Sequence, residues 1–266
     1  MKIEHISVSR GKSYKQCPYY YKLKYHEKIP NPGEEQFYFV YGKIVHKIAE
    51  QYVIEEGKRN IDIIAKDVLK GKIEIENGKK APKLPSDYQR RFPKHIKALI
   101  NLNNMVGSKG VTEYKFRYDL EPPKSKLVLG FIDRIIINEN KAWIIDYKTT
   151  KEGPYRENKE TIKYDPQLRM YARVVQKEFK IPAQNIKAAL YYLEDEKFIH
   201  SSYSEESLDN VEKELLNLYD SIKEHESDDA RGVIGPHCKR CEYKTICPFF
   251  KSSQRKFNWD GDLSSL

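Results

Sequence analysis

The chain contains no apolar run approaching the roughly 20 residues that cross a membrane. Its first residues, Met1-Lys2-Ile3-Glu4, lack the apolar stretch of a secretory signal. A soluble, cytoplasmic protein is the expectation, with no membrane partner. Cysteine is scarce, with four in 266 residues, and in a cytoplasmic chain so few argue against disulfides. A Gly-x4-Gly-Lys-Ser/Thr segment is missing too. Gly11-Lys12-Ser13 has the ending but not the upstream glycine, so any ATP-driven activity must come from a partner. Acidic residues are the minority, 39 against 48 lysines and arginines, which leaves a net charge of +9. Such an excess favours a polyanionic partner, because each neutralised phosphate releases counterions. A lysine-rich solubilising surface would give the same count. Twenty tyrosines add faces on which bases can stack, although most tyrosines serve packing.

At this length the chain can bury a core without staples. Helical signals dominate the first hundred residues, starting with an aromatic, basic stretch from Ser9 to Tyr25. Tyr41, Val45, Ile48 and Tyr52 fall on one stripe of a helix over 36–56. Helices are also predicted over 61–70 and 86–106, the second weakened or kinked at Pro93. From Val111 the period becomes two: Thr112, Tyr114, Phe116, Tyr118 and Leu120 alternate, with Glu113 on the opposite face. Strands over 126–137 and 141–148 follow. Asp165 and Pro166 open a helix to about 180. Strands over 186–193 and 197–203 and an amphipathic helix through Leu208, Val211, Leu215, Leu218 and Ile222 complete the pattern. After Asp228 the chain reads as irregular. A strand, a crossover helix and a further strand imply parallel pairing, so the fold class is α/β, a mixed central sheet flanked by helices.

The most informative segment is the hairpin. A turn at Glu139-Asn140 pairs 138 with 141 and, counting outwards, sets Asp133 opposite Asp146. Opposed residues share a face, with Cβ atoms about 4.5–5.5 Å apart. Lys148, two residues on, falls on the same side. Facing carboxylates are destabilising unless a proton, a salt bridge to Lys148 or a hard divalent cation such as Mg2+ or Mn2+ compensates. A surface ion-pair cluster is the plain alternative, and a one-residue slip would separate the pair.

Gly130-Phe131-Ile132-Asp133-Arg134 and Asp146-Tyr147-Lys148-Thr149, facing each other across a short hairpin, resemble the Gly-x-x-Asp and acidic-x-Lys elements of the PD-(D/E)xK nuclease superfamily, specifically its RecB-type branch. The resemblance implies that Asp133 and Asp146 ligate a metal and that Lys148 is catalytic. Tyr41 to Glu50 resembles the family's upstream helix, whose histidine ligates a metal, and His46 maps onto it. Gln167-Leu168-Arg169-Met170-Tyr171 resembles a Gln-x-x-x-Tyr motif whose i, i+4 spacing shares one helix face, although Tyr171 also fits the apolar stripe. Glu113 lies where related nucleases carry an acidic residue on the preceding strand. A cation held by His46, Asp133 and Asp146 would polarise the scissile phosphate and acidify a water. Lys148 would position or deprotonate that water, or neutralise developing charge. Gln167 and Tyr171 would orient the lysine or the substrate strand.

Cys17 stands alone near the start, while Cys238, Cys241 and Cys247 form a Cys-x-x-Cys-x5-Cys group. Four thiolates suit zinc or an iron–sulfur cluster. Zinc sites usually come as two close pairs, and His237 is a substitute ligand in that case. Cys17 and Cys247 each precede proline, as in ferredoxin runs. The one-plus-three order resembles the iron–sulfur subset of RecB-type nucleases, which includes the CRISPR-associated adaptation nuclease and AddB-type nuclease domains. It implies a 4Fe–4S cluster held by these four residues.

The expected organisation is one nuclease domain over 1–266, restriction-endonuclease-like. Segments 1–30 and 228–250 bind the cluster, 31–110 is helical, 111–203 is the catalytic sheet core and 204–227 the C-terminal helix. The resemblance implies metal-dependent exonucleolytic cleavage of single-stranded DNA ends in recombination, repair or end processing, with single-stranded DNA or duplex ends as partner and a helicase, recombination or CRISPR protein beside it. A structure-selective endonuclease and a non-catalytic nucleic-acid-binding subunit are the alternatives.

Overall fold

The computed structural model describes residues 4–32, 36–123, 126–153, 156–224 and 230–255. Along the chain run β1 (His5–Ile6), α1 (Val8–Gln16), α2 (Pro18–Tyr21), α3 (Phe37–Ile54), α4 (Ile61–Leu69) and α5 (Ser86–Val106). Then come β2 (Val111–Asp119), β3 (Leu127–Asn138), β4 (Lys141–Lys148), α6 (Pro166–Phe179), β5 (Ile186–Tyr192), β6 (Lys197–Ser202), α7 (Glu205–Glu224) and α8 (Pro248–Arg255). They divide into two compact units, Gln36–Glu214, and Met1–Glu35 with Leu215–Leu266. Among the described residues no helix is long and apolar enough to cross a membrane.

In the larger unit β2 pairs antiparallel with β3, β3 antiparallel with β4, β4 parallel with β5, and β5 antiparallel with β6. This is the mixed sheet that the element order implies. Ile145, Tyr147, Tyr191 and Leu193 enter one core with the apolar stripes of α3, α4 and α5. Helix α6 packs against β4 and β5, with Leu168, Met170, Val174 and Val175 buried. Asp165 caps α6 as its sequence predicts, its carboxylate accepting the N–H groups of Gln167 and Leu168 at 2.8 and 2.9 Å. Pro93 lies inside α5, which runs on for thirteen residues beyond it to Val106.

Two sequence expectations change in the smaller unit. The stretch from Ser9 to Tyr25 is not one helix. It breaks at Cys17-Pro18, because proline supplies no N–H to the preceding turn, and continues as α2 and a π-helical turn, Lys22–His26. The C-terminal stretch is not wholly irregular either, since a short 3-10 turn, Pro236–Arg240, and α8 form there. Pro236 and Pro248 each open these helices, where a missing N–H does no harm. The terminal segments are joined by Tyr20 Oη donating to Glu242 at 2.7 Å, Lys24 Nζ donating to the same carboxylate at 2.7 Å, and Tyr243 Oη donating to the Ile29 carbonyl at 2.9 Å.

One buried cation ties sheet to helix in the larger unit. Helix α5 ends at Gly107, whose φ of 78° favours glycine. Arg134, fully buried on β3, lies against that terminus. Its guanidinium donates to Asn103 Oδ1 at 2.8 Å, to the Gly107 carbonyl at 2.5 Å and to the Lys109 carbonyl at 2.9 Å. A positive charge suits a helix C-terminus. Arg134→Met strands all three acceptors, and leaving buried acceptors unpaired costs on the order of 3 kcal/mol in total. The urea midpoint is expected to fall with an unchanged slope; a wild-type midpoint would show that the guanidinium contributes no net stability.

Candidate active site

The hairpin has the register its sequence implies: Asn138 opposes Lys141, Ile137 opposes Ala142, and the ladder runs to Arg134 opposite Ile145. The next rung belongs to Asp133 and Asp146. There the backbone pairing gives way to a side chain, and Asp133 Oδ2 accepts the N–H of Tyr147 at 2.8 Å. Asp133 and Asp146 are both buried.

The same point is irregular on the other edge of β3. Val111 and Thr112 pair with Ile135 and Arg134, and Tyr114 pairs with Ile132, so Glu113 and Asp133 occupy the rung between. Glu113 has φ of 46°, a left-handed conformation that strains a residue bearing a side chain by roughly 1–2 kcal/mol. Strict alternation would place Thr112, Tyr114, Phe116 and Tyr118 on one face. Instead Arg134, the partner of Thr112, reaches α5, while Tyr114, Phe116 and Tyr118 reach the opposite side. Tyr114 bonds Glu178, Phe116 sits edge-on to Tyr171, and Tyr118 bonds Glu212. The ribbon changes face at Glu113 and Asp133, which the simple alternation of the sequence does not foresee.

This break serves His46, which α3 brings over β2 and β3. The ligand atoms of His46, Glu113 and Asp133 all lie within 4.8 Å of one another, the one such group of three among the described residues. His46 Nε2 lies 3.0 Å from the Tyr147 carbonyl and Nδ1 lies 3.5 Å from Asp133 Oδ2. A carbonyl only accepts, so Nε2 carries the proton and Nδ1 is the atom offered to a cation. A backbone acceptor on the far nitrogen is the usual way a metal-binding imidazole is oriented. The three donors therefore fit a hard divalent ion. The sequence reading grouped His46 with Asp133 and Asp146; the tight group is His46, Glu113 and Asp133.

Asp146 faces different neighbours. Its Oδ2 lies 2.5 Å from Lys148 Nζ, and its Oδ1 accepts from Gln167 Nε2 at 3.2 Å. Gln167 Nε2 also donates to Tyr171 Oη at 2.6 Å. Tyr171 packs on Phe116, whose ring lies over Gly130: a Cβ there would come within 2.5 Å of it. The motif glycine thus admits Phe116, which backs Tyr171, which holds Gln167 on Asp146. Asp133 contacts α3 and Asp146 contacts α6, so the two aspartates do not share one face-to-face environment.

Burial lifts the Asp146 carboxyl to about 6, Asp133 adding to the rise and Lys148 opposing it. Burial and then Asp133 push Glu113 to about 7. Burial alone would raise Asp133, but His46, Lys148 and the Tyr147 N–H hold it below the ordinary carboxylate range. Burial works against charge on His46, yet Asp133 outweighs it and lifts the imidazole to about 9. Burial likewise opposes the Lys148 ammonium, and Asp146 with Asp133 holds it above the usual lysine range. Protons are shared here among groups that a divalent cation would hold deprotonated.

Sequence reasoning missed a supporting network. Arg91 on α5 donates to Glu194 Oε2 and to the Thr149 carbonyl, both at 2.7 Å, anchoring the residue after Lys148. His95 links the same Glu194, at 3.1 Å, to the Tyr41 hydroxyl, at 2.9 Å. Nothing in the local spacing of Arg91, His95 and Glu194 marks them, because their partners lie about a hundred positions away.

The four cysteines are free thiols in the smaller unit. Backbone N–H groups point at two of the sulfurs, Tyr20 to Cys17 and Gly235 to Cys238, each at 3.5 Å. Burial raises the Cys241 thiol, the Tyr243 N–H opposes that, and nearby Cys17, Cys247 and Cys238 add to the rise. Four cysteines in one unit, two of them with N–H donors at sulfur, suit a thiolate-bound group. Zinc, with arms of about 2.3 Å, draws its sulfurs to within roughly 4 Å of one another; no three of them lie within 4.8 Å here.

Comparison with solved structures supports the fold. The crystal structure of a protein named "Putative exonuclease", from Eubacterium rectale, superposes with a TM-score of 0.55 at 14% identity, covering 89% of this chain and 88% of that one. A structure named SSO0001 matches at 17% identity over 87% of this chain and 95% of that one, with a TM-score of only 0.34. No curated protein matches the sequence. The model of the PD-(D/E)XK nuclease superfamily, whose members are metal-dependent phosphodiester hydrolases, matches residues 5–248. The hairpin that carries Asp133, Asp146 and Lys148 lies within that match, and the chain belongs to the PD-(D/E)XK nuclease superfamily.

Proposed function

We propose that the chain is a RecB-type deoxyribonuclease that uses Mg2+ or Mn2+ and works as an exonuclease on single-stranded DNA ends. The observation that carries this reading is the convergence of His46 Nδ1, Glu113 and Asp133, with Lys148 held on Asp146 close by. A divalent cation held by His46, Glu113 and Asp133, with Asp146 beside them on the next strand, would supply Lewis acidity toward the scissile phosphate and lower the pKa of a water. The chain's own part is positional. Lys148, gripped by Asp146, presents a fixed positive charge where charge grows on the phosphate. Gln167 keeps Asp146 aligned, Tyr171 backs Gln167, and the Tyr147 carbonyl keeps His46 in one tautomer. The basic excess favours DNA as partner. With no ATP-binding loop, strand separation would fall to a helicase, recombination or CRISPR partner.

End-labelled single-stranded and duplex DNA, incubated with and without Mg2+ or Mn2+, tests this directly. Cleavage of single-stranded ends that stops when the ends are blocked is expected, and chelation should abolish it. Binding without cleavage, or cleavage indifferent to chelation, would overturn the reading. Asp133→Ala and Lys148→Ala should each lower the rate by at least two orders of magnitude, with the circular dichroism spectrum that of the folded protein. Wild-type turnover in either removes the site assignment. Glu113→Gln should act differently, raising the cation concentration for half-maximal activity about 10–100-fold. An unchanged cation titration would exclude Glu113 as a ligand.

We further propose that Cys17, Cys238, Cys241 and Cys247 hold a 4Fe–4S cluster with a structural role. Their one-plus-three order and the backbone N–H groups aimed at Cys17 and Cys238 support it. Protein purified without oxygen should be brown and carry about four iron atoms per chain. Cys238→Ser should lose colour and iron. Colourless protein with stoichiometric zinc would refute the assignment.

A further inference from the structure

Beyond the face change at Glu113 and Asp133, the side chains of β2 and β3 that alternate with Phe116 and Gly130 point away from α6. On successive rungs these are Lys115 opposite Phe131 and Arg117 opposite Leu129. Lys115 and Arg117 are exposed, and Phe131 keeps 51% of its surface in solvent. The Lys115–Phe131 rung follows the Glu113–Asp133 rung, two residues along each strand, or about 7 Å. A cationic and aromatic stripe therefore starts at the candidate metal ligands and runs along the ribbon. It ends at Asp119, whose carboxylate accepts the Glu121 N–H.

Two features separate this stripe from ordinary surface. Five arginines elsewhere in this unit sit on carboxylates, Arg59 on Asp67, Arg91 on Glu194, Arg156 on Asp195, Arg169 on Glu214 and Arg173 on Asp209, and the buried Arg134 sits on backbone carbonyls. Lys115 and Arg117 have no ion-pair partner among the described residues. Phe131, between the fully buried Ile132 and the glycine that admits Phe116, makes no ring contact among the described residues although other rings cluster in pairs. An unpaired cation pair around an exposed ring complements a chain of phosphates and bases.

We propose that this face, Lys115, Arg117 and Phe131, is a track for single-stranded polynucleotide leading to the Glu113–Asp133 rung. Phe131 stacks on a base, and Lys115 and Arg117 hold phosphates. A duplex offers no unstacked base to a ring set on a sheet, so the ring selects single strands. The rungs' spacing is about twice the 3.4 Å rise of a stacked strand, which also suits an extended one. The track rests on the nuclease reading only in what it leads to; its binding is measurable without catalysis.

The test is fluorescence anisotropy of a labelled 20-nucleotide DNA strand and of the matching blunt duplex, in EDTA, over a range of salt concentrations. Phe131→Ser should weaken single-strand binding roughly tenfold and leave duplex binding nearly unchanged, and Phe131→Tyr should restore it. Lys115→Gln with Arg117→Gln should weaken binding and reduce the slope of log affinity against log salt by about 1.4, or 0.7 per phosphate contact. Wild-type affinity and slope in both variants would overturn the track, as would equal loss on duplex from Phe131→Ser or no single-strand binding by the unmodified protein. Lost binding in the variants of a protein that cleaves nothing would refute the nuclease reading and leave the track standing. Unchanged binding in the variants of a protein that cleaves DNA would do the reverse.

Discussion

The candidate site depends on one hydrogen bond, from the Tyr147 N–H to the carboxylate of Asp133. It sits where a sheet would ordinarily place a backbone carbonyl. A carboxylate in that position is fixed by the strand beside it rather than by its own rotamer freedom. It also holds a negative charge in the interior, which a charged acceptor tolerates only with close compensation. His46, Lys148 and that N–H provide it. Because Tyr147 also offers its carbonyl to His46, one peptide of β4 positions both a carboxylate and an imidazole. The two groups cannot drift apart without breaking β4.

The break in β2 and β3 follows from the same point. A regular ribbon would send Glu113 to one face and keep Tyr114, Phe116 and Tyr118 with Thr112. The left-handed turn at Glu113 frees those three aromatic residues to pack toward α6 and α7 while its own carboxylate joins His46 and Asp133. Strain of this kind persists where surrounding structure over-determines it, and here the packing of Phe116 between Gly130 and Tyr171 does so. The glycine of the hairpin motif therefore matters for packing, and its consequence reaches Asp146 through Tyr171 and Gln167.

Much of this was readable from the residues. A two-residue turn at Glu139-Asn140 admits one register, and Asp165 before Pro166 is an unambiguous helix start, so the Asp133–Asp146 rung and the placing of Gln167 could be counted out. His46 was legible through the resemblance of residues 41–50 to the family's helix, since a lone histidine at helical spacing marks nothing by itself. What stayed hidden depends on tertiary context. No pattern announces that Glu113 adopts φ of 46°, since only the packing of distant aromatic residues requires it. Nothing in the sequence marks Arg134 as interior, yet it is buried at the end of a helix about thirty residues earlier. The Arg91–His95–Glu194 network joins positions that no local period relates. The breaks at Cys17-Pro18 and Pro248 were visible as prolines, but whether a helix stops or starts at each is settled by its neighbours.

The charge distribution gives the site a consistent logic. The chain is basic as a whole, a balance that favours polyanions at distances up to about a Debye length. The site itself is acidic, with Glu113 on β2, Asp133 on β3 and Asp146 on β4 set against His46 and Lys148. Near such a cluster a phosphodiester is repelled at short range, where the low dielectric strengthens every charge. A divalent cation held by His46, Glu113 and Asp133 would reverse that sign locally. Dependence on the cation is then a property of substrate approach as well as of bond cleavage. A phosphate would then settle against Lys148, because the carboxylates would have another positive charge to face.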